Sequence, residues 1–271
     1  MTDPTAADPT ADDTVATVTA DLAAEHEALD ALLGGLADRH WATPTPSPGW
    51  TVADQVGHLT YFDGAAATAL TDQAAFAASI GPLLEDMDGV TLHRHLAPAE
   101  LLAAWRANRQ HLVEVARQAD PDGRVPWYGP SMSTRSFLTA RLMETWAHGQ
   151  DVADAVGVAR EATDRLRHIC RIGFITRGWT YANRRQEAPA GEVRVELTAP
   201  SGQVWRWGSD DAPEAVRGPA LDFCLVVTQR RHVDDTALQT TGPAARDWME
   251  KAQAFAGPAT DGPAPRSRPT T

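Results

Sequence analysis

The sequence predicts a mostly α-helical protein in which a four-helix bundle precedes a smaller α+β domain. Up to Gly157, long segments carry apolar residues three and four positions apart, which is the spacing of amphipathic helices. After Gly157, short stretches appear in which apolar and polar residues alternate, a pattern typical of strands. Four helices with long connections favour a bundle, and bundles build their sites from side chains on facing helices.

The first predicted helix covers residues 14–38, where apolar residues recur at the helical spacing. Residues 41–50, WATPTPSPGW, should not be helical, because prolines lack a backbone donor and restrict the residues before them. The second helix begins after Thr51, which can act as its N-cap, and Asp54 takes the place of the usual glutamate of a capping box. We expect this helix to run towards residue 77.

A third helix starts near Pro98, and a fourth runs from its N-cap Ser133 to about residue 155, where Gly157 ends it. The connecting segments 78–97 and 119–133 should be loops, the second because it is full of turn-forming residues. The fourth helix is apolar around most of its circumference, which is typical of a buried helix. Charged or imidazole side chains on it therefore need a partner or a metal ion.

A length of 271 residues favours two domains. The bundle should span residues 14–158 and the α+β domain residues 159–257. Residues 1–13 and 258–271 are rich in Pro, Thr, Asp and Gly, so we expect disordered tails. The second domain is predicted to contain a helix at 161–183, a β-hairpin of strands 193–197 and 203–207, a helix at 218–228, a strand near 238–241 and a helix at 243–255.

Charge and composition exclude some partners. A formal net charge of -12 argues against nucleic acid or an anionic membrane surface, because both require clustered Lys and Arg. No apolar stretch approaches the roughly 18 to 20 residues of a membrane helix. The acidic N-terminus lacks the basic region of a signal peptide, so a cytoplasmic location is expected. Cys170 and Cys224 lie far apart in the chain without a CxxC motif and should be reduced and buried.

The segment RLMETWAHGQD, residues 141–151, contains candidate metal ligands. Glu144 and His148 are four residues apart, so a helix places both on one face. His58, on the second predicted helix, can supply a third ligand. Catalytic zinc sites use three protein ligands of histidine and carboxylate type and leave one position open. The sequence therefore predicts a metal site of His58, Glu144 and His148; the alternative is an ordinary solvated helix face.

Two further residues on the same helix are candidates for supporting roles. Asp151 lies one turn beyond His148 and could accept the ring N–H of a ligand histidine, or it could merely contact solvent or an arginine. Arg141 lies one turn before Glu144 and could pair with that carboxylate or bind substrate. Its alternatives are an extended surface position or a bridge to an acidic residue such as Asp63.

Polar and aromatic residues elsewhere have weaker signals. Tyr128 and Ser133 lie in or beside the loop that leads into the fourth helix, so they could line a pocket, although turn formation and helix capping explain them equally well. In the second domain Trp205, Trp207 and Trp248 are most simply core residues, with an apolar ligand site as the alternative.

Three segments carry a resemblance to a known family: GWTVADQVGHLTYFD, YGPSMSTRSFLTARLMETWAHGQDVADAVG and GPALDFCLVVTQRRH. With these segments the sequence resembles the mycothiol-dependent maleylpyruvate isomerase family, a branch of the DinB-like metalloenzyme superfamily, in its actinobacterial subgroup. The resemblance spans nearly all of the chain between the predicted tails.

The resemblance implies a DinB-like four-helix bundle that holds a divalent metal, usually zinc, followed by a small sterol-carrier-like α+β domain. The metal ligands of the family correspond to His58, Glu144 and His148. In the isomerases mycothiol is the thiol cofactor, and relatives transfer low-molecular-weight thiols. An arginine of the second domain assists in the isomerases, and its counterpart by position here is Arg230, with Arg231 as its neighbour.

The implied function is that of an enzyme in which a zinc ion lowers the pKa of a thiol to generate the nucleophilic thiolate. The thiolate would isomerise a small electrophile or be transferred to it, and Arg230 would neutralise a substrate carboxylate or a developing enolate. Two alternatives stay open. One is metal-dependent hydrolysis of an amide or thiol conjugate, with water in place of the thiol. The other is a non-catalytic metal-binding or ligand-binding protein.

Overall fold

The computed structural model describes residues 14–265 and contains two compact units, one ending at Arg160 and the other beginning at Glu161. The N-terminal segment 1–13, where we expect disorder, lies outside the described residues. The first unit is helical and the second combines helices with a sheet, which confirms the predicted fold class. Within the described part of the chain, no helix has the length and apolar character needed to cross a membrane.

The first unit, as described from residue 14 to Arg160, contains seven helices. They are α1 (Val15–Gly34), α2 (Asp38–Trp41), α3 (Val52–Thr71), α4 (Gln73–Glu85), α5 (Met87–Thr91), α6 (Pro98–Ala116) and α7 (Thr134–Val156). Helices α1, α3, α6 and α7 form the bundle, because α3 packs against α6 and α7 and α1 packs against the same two helices. Leu29, Val56, Leu59, Trp105 and Val152 are buried where the four helices meet.

Local signals place the helix ends that matter for the site. The hydroxyl of Thr51 accepts a hydrogen bond from the Asp54 N–H, and the Thr51 N–H donates to Asp54 Oδ2 at 2.9 Å, which completes a capping box. Ser133 caps α7 by accepting from the Ser136 N–H. Gly157 ends α7 with a φ of 69°, a left-handed conformation that glycine adopts without a steric penalty.

Several predicted boundaries in the first unit are wrong. The second predicted helix ends at Thr71 rather than near 77, because the Asp72 carboxylate accepts the N–H groups of Ala74 and Ala75 and so begins α4. Helix α5 lies inside the predicted loop 78–97. The predicted loop before α7 contains a two-stranded antiparallel ladder of β1 (Arg124–Val125) and β2 (Met132–Ser133).

The second unit is built around a four-stranded sheet with the order β4-β3-β5-β6. Its elements are α8 (Leu166–Ile175), α9 (Arg177–Asn183), β3 (Val193–Thr198), β4 (Val204–Trp207), β5 (Glu214–Pro219), α10 (Ala220–Val227), a 3-10 turn (Val233–Asp235), β6 (Gln239–Thr241) and α11 (Pro243–Lys251). Strand β3 pairs antiparallel with β4, as the hairpin pattern predicts, and parallel with β5. Strand β6 pairs antiparallel with β5.

Three features of the second unit differ from expectation. Strand β5 is not predicted, since it is short and ends in Gly218 and Pro219. The predicted helix 161–183 breaks at Thr176, whose hydroxyl bonds the carbonyl of Ile172. Residues 258–265 belong to the predicted disordered tail. In the structure the Thr260 N–H donates to Gln253 Oε1 at 3.2 Å. Hydrogen bonds to side chains therefore order a segment whose composition favours disorder.

Buried side chains form the core of the second unit. Trp205, Trp207 and Trp248 are all buried, in agreement with the simpler of their two interpretations. Cys170 and Cys224 are buried free thiols whose sulfur atoms lie 3.5 Å apart where α8 meets α10.

Candidate metal centre

Helices α3 and α7 bring three potential metal ligands together. His58 lies in the second turn of α3, and Glu144 and His148 lie one turn apart on α7. One ligand atom from each of the three residues lies within 4.8 Å of the others, and the rings of His58 and His148 have centroids 4.5 Å apart. The geometry is therefore that of a three-ligand cluster between two neighbouring bundle helices.

The Glu144 carboxylate is ionised at neutral pH. Burial raises its pKa, but the contact with His148 and the electrostatic influence of Arg141 and His58 lower the pKa to about 2. Glu144 Oε2 lies 3.2 Å from His148 Nε2. The Glu144 side chain is 23% exposed and that of His148 10%, so the cluster is partly open to solvent.

Gln55 contacts the other ring nitrogen of His148. Gln55 is fully buried, and its Oε1 lies 2.5 Å from His148 Nδ1. The Gln55 amide nitrogen donates to Thr45 Oγ1 at 2.9 Å, and the Thr45 hydroxyl donates to the Trp50 carbonyl at 3.0 Å. Sequence reasoning missed Gln55; the available signal was its position one turn before His58 on α3.

Asp151 contacts the segment that precedes α3. Its Oδ2 accepts a hydrogen bond from the Ser47 hydroxyl at 3.0 Å, and it is buried. Gln55 rather than Asp151 bonds His148 Nδ1. Asp151 thus ties α7 to the proline-rich segment 41–50.

Arg141 pairs with Asp63 rather than presenting itself to a substrate. Its Nη2 donates to Asp63 Oδ1 at 2.9 Å, and the two side chains are 4% and 0% exposed. Asp63 Oδ2 also accepts from Trp105 Nε1 at 3.2 Å and lies 3.5 Å from His26 Nε2. Arg141 therefore matches the alternative of a bridge to an acidic residue, and its charge acts on Glu144 from a buried position.

Aromatic rings contact the two histidines of the cluster. The Trp50 ring stacks on His148 at 5.9 Å with an interplanar angle of 16°, and it lies 5.1 Å from the His58 ring. The Phe62 ring also contacts His58, with a centroid distance of 4.4 Å. Tyr128 contacts Phe62 at 5.6 Å, so it belongs to the aromatic surroundings of the site. Burial and the neighbouring Tyr61 raise the pKa of Tyr128, which keeps its phenol protonated.

The other predicted site residues make contacts within their own segments. Ser133 acts as the N-cap of α7, which is its simpler interpretation. Arg230 belongs to the second unit, follows α10, and donates from Nη1 to the Thr228 carbonyl at 2.7 Å. Arg231 donates from Nη1 to the Arg230 carbonyl at 2.8 Å.

Comparison with known proteins identifies the family. Residues 22–153, which contain the whole ligand cluster, match the model of the mycothiol maleylpyruvate isomerase N-terminal domain. Two solved structures of mycothiol-dependent maleylpyruvate isomerase, one of them a histidine-to-alanine mutant, have this fold with TM-scores of 0.59 and 0.57. The chain belongs to the mycothiol-dependent maleylpyruvate isomerase family. Sequence identity to the two structures is 15% and 14%, over 85% of this chain and 95% of each of theirs.

Much closer relatives of this family member exist in Mycobacterium tuberculosis. Uncharacterized proteins from two strains are each 49% identical over 245 residues, which is 88% of this chain and 95% of theirs. In the second unit, residues 189–241, from just before β3 to the end of β6, match a model described as wyosine base formation.

Proposed function

We propose that this family member is a divalent-metal-dependent enzyme that uses a low-molecular-weight thiol, mycothiol, to isomerise a small electrophile or to transfer the thiol to it. The observation that carries the proposal is the cluster of His58, Glu144 and His148 between α3 and α7, within reach of solvent. Membership of the isomerase family and the fold shared with two mycothiol-dependent isomerases support it.

The donor set fits a catalytic zinc ion. Two imidazoles and one carboxylate are the ligand types that such sites use, whereas structural zinc sites are closed by four protein ligands. Three ligands leave one coordination position for a thiol or water. When bound, the ion supplies Lewis-acid chemistry, because it lowers the pKa of the thiol or water in that position.

The residues named so far have separate tasks in this proposal. Glu144, ionised at neutral pH, is ready to act as an anionic ligand. Trp50 and Phe62 cover the histidine rings with apolar surface, which limits the access of water to a thiolate. Arg230 binds a carboxylate of the substrate or stabilises a developing enolate, since a planar guanidinium recognises such groups with two hydrogen bonds.

The thiol requirement is testable with purified protein and a panel of small electrophiles, unsaturated diacids included. We expect product formation to require mycothiol and bound metal, to fail with glutathione in its place, and to stop after chelation and resume when zinc is restored. Product, substrate loss and thiol consumption are measured together, because isomerisation regenerates the thiol and transfer consumes it. Equal rates without any thiol would contradict thiol chemistry and support hydrolysis.

The role of Arg230 is tested in the same assay. We expect Arg230→Ala to raise KM for substrates that bear a carboxylate by about tenfold or more, since a charge-assisted hydrogen bond contributes about 1.5–3 kcal/mol. Metal content should not change. Arg231→Ala is the matched control and should behave like the wild type. An effect confined to Arg231→Ala would assign the substrate contact to that neighbour instead.

A further inference from the structure

We propose that Gln55 is a positioning residue that holds His148 in the Nδ1–H tautomer, so that Nε2 is the nitrogen offered to the metal. The proposal rests on the proposed function in one respect, because it takes the cluster of His58, Glu144 and His148 as the metal site. The state of the His148 ring can nevertheless be measured whether or not a metal binds.

The contact between Gln55 and His148 is close and shielded from water. Gln55 is 0% exposed, and its Oε1 lies 2.5 Å from His148 Nδ1. The two residues are 93 positions apart in the chain and lie on the packed helices α3 and α7. At this distance two lone pairs would repel, so one of the two atoms must carry a proton.

The hydrogen bonds of Thr45 decide which end of the Gln55 amide faces the histidine. The Thr45 hydroxyl donates its one proton to the Trp50 carbonyl, so Thr45 Oγ1 can only accept from Gln55. The Gln55 NH₂ group therefore points to Thr45 and the carbonyl oxygen points to His148. A carbonyl oxygen has no proton to give, so His148 Nδ1 carries it.

This assignment determines the chemistry of the opposite nitrogen. A neutral imidazole with a proton on Nδ1 has its lone pair on Nε2, and Nε2 lies 3.2 Å from Glu144 Oε2. Two electron-rich atoms face each other there, so a cation between them is favourable. A metal ion bound there would satisfy both atoms.

The neutral amide also sets the charge of the site. Metal-ligating histidines often donate their second N–H to a carboxylate, which raises the basicity of the ligand. Gln55 orients His148 without adding a negative charge. The bound ion then retains more of its positive charge, which favours a low pKa for the thiol in its open position.

Two variants of Gln55 separate its hydrogen bond from its bulk. Gln55→Leu keeps a side chain of similar size but removes the acceptor, and Gln55→Glu keeps an acceptor. We expect Gln55→Leu to weaken zinc binding by about 10- to 100-fold in competition with a chromophoric chelator, as loss of such outer partners typically does. Gln55→Glu should bind zinc within a few-fold of the wild type. Gln150→Leu is the matched control on α7, where Gln150 contacts Asp154, and should leave affinity unchanged.

Nitrogen-15 NMR of His148 supplies a readout that simple destabilisation would not change. The full-length wild type, as purified and after metal removal, should show a proton on Nδ1, and Gln55→Leu should populate the other tautomer when metal-free. The proposal is overturned if wild-type His148 carries its neutral-state proton on Nε2, or if Gln55→Leu binds zinc as tightly as the wild type. If the wild type binds no zinc at all, the proposed function fails, and the NMR result still decides the role of Gln55.

Discussion

Replacing His148 with alanine is expected to abolish stoichiometric metal binding. Wild-type protein should carry about one zinc or similar ion per chain, because three ligands of the right type converge within 4.8 Å. His148→Ala leaves one imidazole and one carboxylate, too few to hold the ion against a chelator. His58→Ala should have the same effect from the other helix. Metal content after dialysis, measured by elemental analysis, checks both variants.

The control for these variants is another histidine of the bundle. His111 lies on α6 and is exposed, so His111→Ala should keep the metal content of the wild type. The affinity loss in the two ligand variants should exceed that of Gln55→Leu, since a ligand is removed rather than its support. Equal metal content in the wild type, His58→Ala and His148→Ala would exclude the three-ligand site.

Replacing Asp63 with alanine should destabilise the bundle by about 3–5 kcal/mol. Asp63 and Arg141 form a buried ion pair, and removal of one partner leaves an uncompensated charge in the interior. Trp105 loses the acceptor of its ring N–H in the same variant. The loss is measured as the decrease in the free energy of unfolding in urea, followed through the helical signal at neutral pH.

A surface pair provides the comparison. Arg106 pairs with Asp30 at 2.7 Å, but its side chain is 47% exposed, so Arg106→Ala should cost less than about 1 kcal/mol. Similar losses in Asp63→Ala and Arg106→Ala would mean that the buried pair contributes no more than a solvated one.

The destabilisation by Asp63→Ala should depend on pH. Burial raises the pKa of Asp63, but the charges of and hydrogen bonds from Arg141 and His26 lower it by more. The pKa of Asp63 in the folded protein is therefore below the ordinary value of 3.8. A carboxyl group with a lowered pKa contributes stability above its unfolded-state pKa and loses that contribution as the pH falls through the folded-state pKa. The difference between wild type and Asp63→Ala should therefore be full at neutral pH and shrink below about pH 3.8.

The helical half of the fold is predictable because its signals are local. Apolar spacing identifies the four bundle helices, and the capping box of Thr51 and Asp54 acts within four residues. Local signals do not suffice to predict β5. Its strand character depends on its parallel partner β3, which lies about twenty residues earlier. Asp72 likewise breaks one predicted helix into α3 and α4 through a cap that apolar periodicity does not reveal.

The candidate ligands were predictable for a different reason. Glu144 and His148 share a helix face by spacing alone, and His58 follows from the rule that bundle sites join facing helices. Their metal binding stays a prediction until the analyses above are made. The supporting residues were assigned less well. Asp151 has suitable spacing from His148, but it contacts Ser47, and the bond to His148 Nδ1 comes from Gln55, which the spacing did not single out.

The sequence by itself determined the four bundle helices, the caps at Thr51, Ser133 and Gly157, and the set of side chains able to bind a metal, because these depend on contacts within one or two helical turns. Only the tertiary structure decided which polar side chains pair with one another. Gln55 reaches His148 across 93 residues, and Arg141 reaches Asp63 across 78. Such pairings depend on how α3 and α7 are rotated and spaced in the bundle. A hydrogen bond tolerates changes of only a few tenths of an ångström in the donor–acceptor distance. The spacing of residues along one helix does not determine how two helices are placed to that accuracy.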